Sequence, residues 1–469
     1  MEKKGKIKRA AFVYLTQESE VYFLGDDVGY SVQRRPQLGL QYLCAVLEST
    51  GINTSIFDQT IVPFDADWII NHLKDFDMVG FYCSDPQEEK VKSYCKKIRG
   101  KLSIPILVGG PSTLDNATFL EHGCDFVVHG EGEATIRQVV EYYDGIRKIE
   151  DVKGVSYRKD GSIFTSAPQD LIADLDTIPF PDRSKIDVNM YHDYFLFGMQ
   201  KPYVTIMASR GCAYKCHFCT SYKLWGCRYR KRSVDNVLAE VDEVVKKYDA
   251  KYIAFQDDIF GLTNSWIEEF CTKLMKKPYK IRWMAILHPF SVKTDTEKML
   301  KLMRRAGCDT LSFGLQAAHP VILQNINRNP EEPAALAKVL KVARKLKFIT
   351  AVAYIFGLPG DTKETIQTTI DYSLRCGSTL ANYFMLSVLR GSEIGEIYKN
   401  KKICELPASE IERLASYASK RFYSRPGTFL DVGYFIMKNP WWIAGVGRNL
   451  PSILKRVGFG KPQKKQEVS

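Results

Sequence analysis

Short apolar runs alternate with helical patterns in the first part of the chain. The five runs begin at Ala10, Thr54, Asp77, Pro105 and Asp125. The helices expected in the gaps are centred near Leu43, Trp68, Val91, Phe119 and Val139. This alternation is typical of an open parallel sheet covered by helices. We therefore predict an α/β domain of Rossmann-like (flavodoxin-like) type over residues 1–145.

Residues 146–200 are less regular. Asp160-Gly161 lies between two short β-prone runs and predicts a small hairpin. Further along, Pro179 and Pro181 exclude a regular helix. We interpret residues 146–200 as a linker that carries this hairpin.

The alternation of strand and helix patterns resumes after the linker. Six strand patterns begin at Val204, Tyr252, Arg282, Thr310, Ile349 and Leu380. They predict a (β/α)6 partial TIM barrel over residues 201–395, with ligands at the C-terminal ends of the strands. Residues 396–469 are expected to form a helical extension with a basic tail.

Composition and charge narrow the function only slightly. The 469 residues carry a net charge of +12 and are 45% apolar, which permits large packed cores. No apolar stretch is long enough for a transmembrane helix, and the start lacks a signal-peptide core, so we expect a cytoplasmic protein. The positive charge suits a solvated surface, an acidic substrate or an anionic membrane face, and we do not expect a nucleic-acid partner.

A cluster of three cysteines carries the strongest chemical signal. Cys212, Cys216 and Cys219 lie in a loop directly after a strand pattern, whereas the other nine cysteines are scattered singly. Three thiolates can hold three irons of a four-iron four-sulfur cluster and leave the fourth iron open. Zinc is the alternative metal, but structural zinc normally takes four ligands, and His217 is too close to Cys216 in sequence for good chelation.

The spacing CxxxCxxC, with Phe218 before the third cysteine, resembles the radical S-adenosylmethionine (SAM) superfamily. The resemblance implies that the open iron binds SAM and that the reduced cluster cleaves it to a 5′-deoxyadenosyl radical. It also implies an external electron donor such as flavodoxin or ferredoxin.

Further strand ends match the same superfamily. The resemblance implies SAM contacts at Phe218, Gln256, Asp257, Asp258, Gly314, Gln316, Gly357 and Pro359. Each strand end also suits an ordinary strand-to-helix turn. The arginine that the superfamily usually has after the third strand is not evident, and His288 in that region receives no role.

The N-terminal domain has glycines at the ends of its fourth and fifth strands. Together with RPQLGLQYL and GFYCSDP, they resemble the cobalamin-binding radical SAM class. The cobalamin contacts that this resemblance implies are Leu38, Ser84, Gly109, Gly110, Pro111, Gly130, Glu131, Gly132 and Glu133. The Asp-x-His-x-x-Gly signature is absent, and no histidine precedes His72. We therefore expect cobalamin to bind base-off, without a histidine ligand from that loop.

The class resemblance favours a cobalamin-dependent methyltransferase that acts on an unactivated carbon. A cobalamin-binding enzyme that catalyses a rearrangement, cyclisation or carbon–carbon bond formation is the alternative, and a non-catalytic cobalamin or redox sensor is the third hypothesis. The substrate, whether small molecule, lipid or peptide, cannot be derived from the sequence.

Two basic segments have open interpretations. Residues 228–232 (RYRKR) form either a solvated loop or one with a substrate-facing arginine. Near the C-terminus, aromatic and basic residues predict either a lid packed on the barrel or a weak peripheral contact with the inner membrane face. They are Trp441, Trp442, Arg448, Lys455, Arg456 and Phe459.

Overall fold

The computed structural model describes residues 5–16, 33–114, 116–193, 200–292, 295–399 and 401–438. None of the helices in these ranges is both long and apolar enough to cross a bilayer. The aromatic and basic segment from Trp441 to Phe459 lies outside the described residues, so its two interpretations stay predictions.

The N-terminal sheet has seven strands, five of them parallel. The strands are β1 (Arg9–Tyr14), β3 (Asn53–Asp58), β4 (Met78–Tyr82), β5 (Ile106–Gly109), β6 (Phe126–Val128), β7 (Val155–Lys159) and β8 (Ser162–Thr165). The helices are α1 (Leu38–Glu48), α2 (Ala66–Leu73), α3 (Glu88–Arg99) and α4 (Gly132–Tyr143). The order β3-β1-β4-β5-β6 is the flavodoxin-like order 2-1-3-4-5, which confirms the predicted fold class.

The predicted hairpin belongs to this sheet. Its strands β7 and β8 turn at Asp160 and Gly161, and β7 pairs antiparallel with β6. The assignment of the hairpin to a separate linker is therefore corrected: it extends the sheet edge. A two-stranded hairpin is marginal alone, and pairing with β6 gives it the additional strand contact that it needs.

One expected helix is a shorter turn. The segment around Phe119 forms a 3-10 helix, Thr118–His122, instead of an α-helix. Gly123 ends it in a left-handed conformation with φ of 89°, and a Cβ at this position would lie 2.8 Å from the Arg99 Cβ. Close packing on α3 therefore leaves no room for a longer helix.

The second sheet contains six parallel strands in chain order. They are β10 (Tyr203–Ile206), β13 (Tyr252–Phe255), β14 (Arg282–Leu287), β15 (Cys308–Gln316), β16 (Ile349–Phe356) and β17 (Leu380–Met385). This arrangement confirms the predicted partial barrel. Four short strands accompany it in two pairs: β9 (His192–Asp193) pairs with β2 (Gln33–Arg34), and β11 (Ser209–Arg210) pairs with β12 (Arg230–Lys231).

Helices cover the outside of the barrel and continue into the C-terminal extension. They are α5 (Ser221–Trp225), α6 (Val234–Tyr248), α7 (Asn264–Leu274), α8 (Thr296–Arg305), α9 (Pro320–Asn325), α10 (Glu332–Lys345), α11 (Lys363–Arg375), α12 (Glu393–Ile397), α13 (Ala408–Tyr423) and α14 (Pro426–Lys438). The largest apolar core lies between these helices and the strands. It fixes the strands whose ends carry the site.

Trp283 is central to the barrel core. Its side chain is fully buried, it meets Phe255 and Phe270 edge-on, and its Nε1 donates to the Ala306 carbonyl at 2.9 Å. We expect Trp283→Ala to lower the free energy of unfolding by about 3–5 kcal/mol, because it removes aromatic contacts and leaves a cavity. Denaturant titration followed by circular dichroism measures the change. Val321→Ala, at an exposed helical position, should stay near wild type, and a similar loss in both variants would contradict this view of the core.

Candidate functional site

The three clustered cysteines lie in a loop at the C-terminal end of the first barrel strand. We call residues 211–220 the cysteine loop. Gly211 opens the loop with φ of 85°, and a Cβ there would lie 2.3 Å from the Arg228 carbonyl oxygen. Only glycine fits this close approach, so the chain can enter the loop directly beside β12.

Each thiol of the loop has a hydrogen-bond donor. The backbone N–H of Tyr214 donates to Cys212 Sγ and that of Ser221 to Cys219 Sγ, both at 3.4 Å. Cys216 Sγ accepts from Arg328 Nη1 at 3.8 Å. Such bonds stabilise sulfur that carries negative charge.

The state of the thiols bears on the metal they can hold. Burial raises the pKa of all three thiols, that of Cys212 to about 12, so ligation must displace protons. Within the described ranges, no three Cys, His, Asp or Glu side chains converge on a single ion. A cluster does not need such convergence, because each thiolate binds a different iron. The donor set therefore fits an iron–sulfur cluster better than one zinc ion.

Two adjacent carboxylates, Asp257 and Asp258, accept hydrogen bonds from residues that flank the cysteine loop. Asp257 is 2% exposed and accepts from the Ala208 N–H at 3.2 Å and from the Ser209 hydroxyl. Burial raises its pKa to about 7. Asp258 accepts from Ser221 Oγ at 2.6 Å. The two carboxylates hold the start and end of the loop, and the predicted contacts of Asp257 and Asp258 with SAM stay predictions.

A buried polar group lies beneath the same loop. The ring of His288 stacks on Tyr214 with centroids 3.9 Å apart, and burial lowers the pKa of this histidine. His288 Nε2 lies 3.5 Å from Glu332 Oε1, and Glu332 pairs with Arg328. The sequence analysis missed this group. The i,i+4 spacing of Arg328 and Glu332 was the available signal, but such pairs are common on solvated helices.

The other predicted SAM residues lie at the strand ends on this side of the barrel. Gln316 has a left-handed backbone with φ of 72°, a conformation rare outside glycine. Gly357 has φ of 85° and donates its N–H to Asp361, and Pro359 accepts from Asn325 Nδ2 at 2.8 Å. These contacts stabilise the turns and leave the proposed SAM contacts as predictions.

The structure also shows which residues contact three further predicted SAM-binding positions, Gln256, Gly314 and Phe218. Gln256 directly follows the second barrel strand and is half-buried. Its backbone N–H donates to the Ile206 carbonyl. Gly314 offers its carbonyl to Arg328 Nη2 at 2.7 Å. Phe218 is half-buried and packs against an apolar cluster that includes Ile322.

The predicted cobalamin positions divide into two groups. Gly110 has φ of 114°, and a Cβ there would lie 2.6 Å from the Cys83 carbonyl oxygen, so this strand end requires glycine. Leu38 instead packs with Tyr42 and Leu175 in a small apolar cluster. The predicted contact of Leu38 with cobalamin stays a prediction.

The neighbours of Gly110 form ordinary strand-end structure. Gly109 ends β5, and Pro111 begins a 3-10 turn. Ser84 forms a capping box with Gln87 at the end of β4. Gly132 begins α4, where a Cβ would lie 3.2 Å from Leu43.

The loop after β6 lies beside α5, the helix that directly follows the cysteine loop. A Cβ on Gly130 would lie 4.0 Å from the Leu224 carbonyl oxygen. Glu131 accepts from Arg210 Nη1 at 2.9 Å and from Arg230 Nη1 at 2.9 and 3.0 Å, and Glu133 also pairs with Arg210. These ion pairs join the two parts of the chain, and the predicted contacts of Glu131 and Glu133 with cobalamin stay predictions.

In the RYRKR segment, Arg228 and Lys231 are exposed as a solvated loop predicts, whereas Arg230 and Arg232 are not. Arg232 is 4% exposed and pairs with Glu240, which also accepts from Arg183. Arg230 joins Glu131 as described above. Both arginines are therefore neither solvated nor substrate-facing, because buried carboxylates hold them.

Histidine ligation of cobalt has no support at this sheet edge. His129 follows β6, but its Nδ1 contacts the Thr113 carbonyl at 2.8 Å and its Nε2 contacts Ser156 Oγ at 2.8 Å. Both ring nitrogens are thus engaged in the protein. A glycine-lined edge of flavodoxin-like order that lies beside α5 fits a corrinoid bound without a histidine from the loop after β6.

Comparison with known families agrees with both halves of this site. Residues 206–373 match the radical SAM superfamily and residues 27–140 match the B12 binding domain. The chain belongs to the cobalamin-binding radical SAM enzymes. The cofactors of this family, a four-iron four-sulfur cluster, SAM and cobalamin, are those that the cysteine motif and the resemblance predict.

Individual radical SAM relatives span most of the chain. An uncharacterized methyltransferase of Pyrococcus horikoshii is 28% identical over 368 residues, which cover 77% of this chain and 78% of the relative. The anaerobic magnesium-protoporphyrin IX monomethyl ester cyclase of Rubrivivax gelatinosus is 26% identical over 75% of this chain and 64% of its own length.

A solved structure shares the fold. The radical SAM methyltransferase TsrM of Kitasatospora setae, solved with cobalamin and its iron–sulfur cluster, superposes with a TM-score of 0.66 at 16% identity, over 83% of this chain and 74% of that chain. At 16% identity, this likeness shows that the two proteins share a fold.

Proposed function

We propose that this radical SAM enzyme is a cobalamin-dependent methyltransferase that modifies an unactivated carbon. The observation that carries the proposal is the proximity of the glycine-lined edge of the first sheet to α5, the helix that directly follows the cysteine loop: a Cβ on Gly130 would lie 4.0 Å from the Leu224 carbonyl oxygen. When bound, cobalamin supplies a transferable methyl group, and SAM on the cluster supplies the radical that removes hydrogen from the substrate. Both groups must act on one carbon, which requires their two sites to adjoin.

The residues of the chain have defined tasks in this proposal. Cys212, Cys216 and Cys219 hold the cluster, while Asp257 and Asp258 hold the loop that carries them. The ion pairs of the loop after β6 keep the two sheets together. A fixed, closed junction excludes water, which protects a radical from side reactions.

A small molecule with an apolar part is the proposed substrate. The rim of the barrel at the end of β17 exposes Phe384 and Met385, which are 47% and 48% exposed. On the neighbouring strands β15 and β16, Ser312, Ala351 and Ala353 are small and half-buried, whereas the residues between them pack outward into the core. Small inward side chains leave space for a ligand inside the barrel. A flavodoxin or ferredoxin is the proposed source of electrons.

Cyclisation is the second candidate reaction. The chain is 26% identical to the Rubrivivax cyclase and 28% identical to the Pyrococcus methyltransferase. Because the two identities are so similar, cyclisation remains a candidate. The two candidates differ in the fate of the cobalt ligand, because only methyl transfer requires SAM to methylate the corrinoid.

Methylation of the bound corrinoid tests the proposal without a known substrate. The anaerobic full-length protein, loaded with cobalamin and reduced with titanium(III) citrate, is mixed with SAM and followed by visible absorption. We expect methylcobalamin and S-adenosylhomocysteine at about one equivalent per chain, faster than with free cobalamin. Cleavage of SAM to 5′-deoxyadenosine with the corrinoid left unmethylated would favour cyclisation, and absence of bound corrinoid would contradict both candidates.

A further inference from the structure

Arg328 places a buried positive charge beside one cysteine of the loop. Its side chain is 6% exposed, and its Nη1 lies 3.8 Å from Cys216 Sγ. In contrast, Cys212 and Cys219 accept hydrogen bonds from neutral backbone N–H groups. Among the described contacts of the three thiols, the charged donor therefore acts on Cys216 alone.

The guanidinium is held in place on its other side. Arg328 Nη2 donates to the Gly314 carbonyl at 2.7 Å, and Nε donates to Glu332 Oε2 at 2.8 Å. Glu332 is 1% exposed, and its Oε1 accepts the backbone N–H of Asn329 at 3.2 Å. With these contacts made, the guanidinium cannot turn away from Cys216 without leaving a buried carboxylate unpaired.

A fixed positive charge 3.8 Å from a ligating sulfur affects the reduction potential of the cluster. Reduction of a cluster adds one negative charge, and a nearby cation stabilises the reduced form more than the oxidised form. Net charge and hydrogen bonds to the ligating sulfur are the main protein contributions to the potential of iron–sulfur clusters. The burial of Arg328 reduces the screening of its charge by solvent.

We propose that Arg328 raises the reduction potential of the cluster through its charged contact with Cys216, and that Glu332 positions Arg328 and limits the size of this effect. The reaction concerned is the passage of one electron from a low-potential donor of the flavodoxin or ferredoxin class to the cluster, with no bond broken and no proton moved. The proposal rests on the cysteine assignment in the proposed function and is independent of methyl transfer.

A redox titration of two variants tests this proposal. The full-length chain is reconstituted anaerobically without SAM, cobalamin or substrate, and the reduced cluster is counted by electron paramagnetic resonance against the potential set with dithionite. Arg328→Gln should lower the ratio of reduced to oxidised cluster at a given potential about tenfold, equivalent to about 59 mV for one electron. Glu332→Gln should shift the midpoint in the opposite direction, because the charge of Arg328 is then less compensated.

Matched controls separate an electrostatic effect from a folding defect. Arg344→Gln removes an arginine that is 61% exposed and should leave the midpoint unchanged. Arg328→Lys keeps the charge and should lie between wild type and Arg328→Gln. A wild-type midpoint in Arg328→Gln with full iron content would overturn the proposal. If Arg328→Gln fails to hold iron, an unchanged or more negative midpoint in Glu332→Gln would overturn it. An iron-free wild-type chain would refute the cysteine assignment itself.

Discussion

Simultaneous replacement of Cys212, Cys216 and Cys219 by alanine should abolish iron binding. The wild-type chain should hold about four irons after anaerobic reconstitution, and the triple variant should hold none, because a cluster without thiolate ligands has no anchor. Iron and acid-labile sulfide analysis measures the loss. Cys227→Ala removes an exposed cysteine shortly after the loop and is the matched control, with iron content expected at the wild-type level.

Two results would contradict the cysteine assignment. A triple variant that still carried a full cluster would place the ligands elsewhere in the chain. Zinc in place of iron in the anaerobically purified wild type would favour the alternative metal site.

Arg210→Met should destabilise the junction between the two sheets. The Arg210 side chain is 4% exposed, and its carboxylate partners Glu131 and Glu133 are 1% and 11% exposed. The guanidinium also lies 5.2 Å from the ring centroid of Tyr42. Removal of one member of a buried ion pair leaves an uncompensated charge, so we expect a loss of about 3–5 kcal/mol in the free energy of unfolding, measured by urea titration.

An exposed ion pair provides the control for this prediction. Lys247 and Glu243 are 2.9 Å apart, and the lysine side chain is 62% exposed. Glu243→Gln should cost less than about 1 kcal/mol, because solvent screens exposed pairs. Equal losses in Arg210→Met and Glu243→Gln would show that the Arg210 network does not stabilise the junction.

The strand order of both sheets was predictable because buried parallel strands are continuous apolar runs. The cysteine loop could also be predicted from the sequence, since its three cysteines lie within a span of eight residues. Both features are local in sequence, so hydrophobic periodicity and motif spacing are enough to predict them. The hairpin at Asp160 and Gly161 was found in the same way, but its pairing with β6 was not.

Long-range contacts were beyond the sequence analysis. Arg210 and Glu131 are 79 positions apart, and Arg328 and Cys216 are 112 apart. No local pattern states which charged side chain will be buried against another, because this depends on how the sheets pack. For that reason the ion pair of Glu131 with Arg210 and the contact of Arg328 with Cys216 were not predicted.

Transfer of a deuterium-labelled methyl group tests the central claim most directly. The reconstituted enzyme, with cobalamin and a low-potential reductant, is incubated anaerobically with methyl-deuterated SAM and a cell extract, and small-molecule products are compared by mass spectrometry with those of the Cys212→Ala, Cys216→Ala, Cys219→Ala variant. Our account predicts a new product that carries the intact deuterated methyl group on carbon and is absent with the variant. A cluster-dependent product that contains no label would contradict methyl transfer and identify the enzyme as a catalyst of cyclisation or rearrangement.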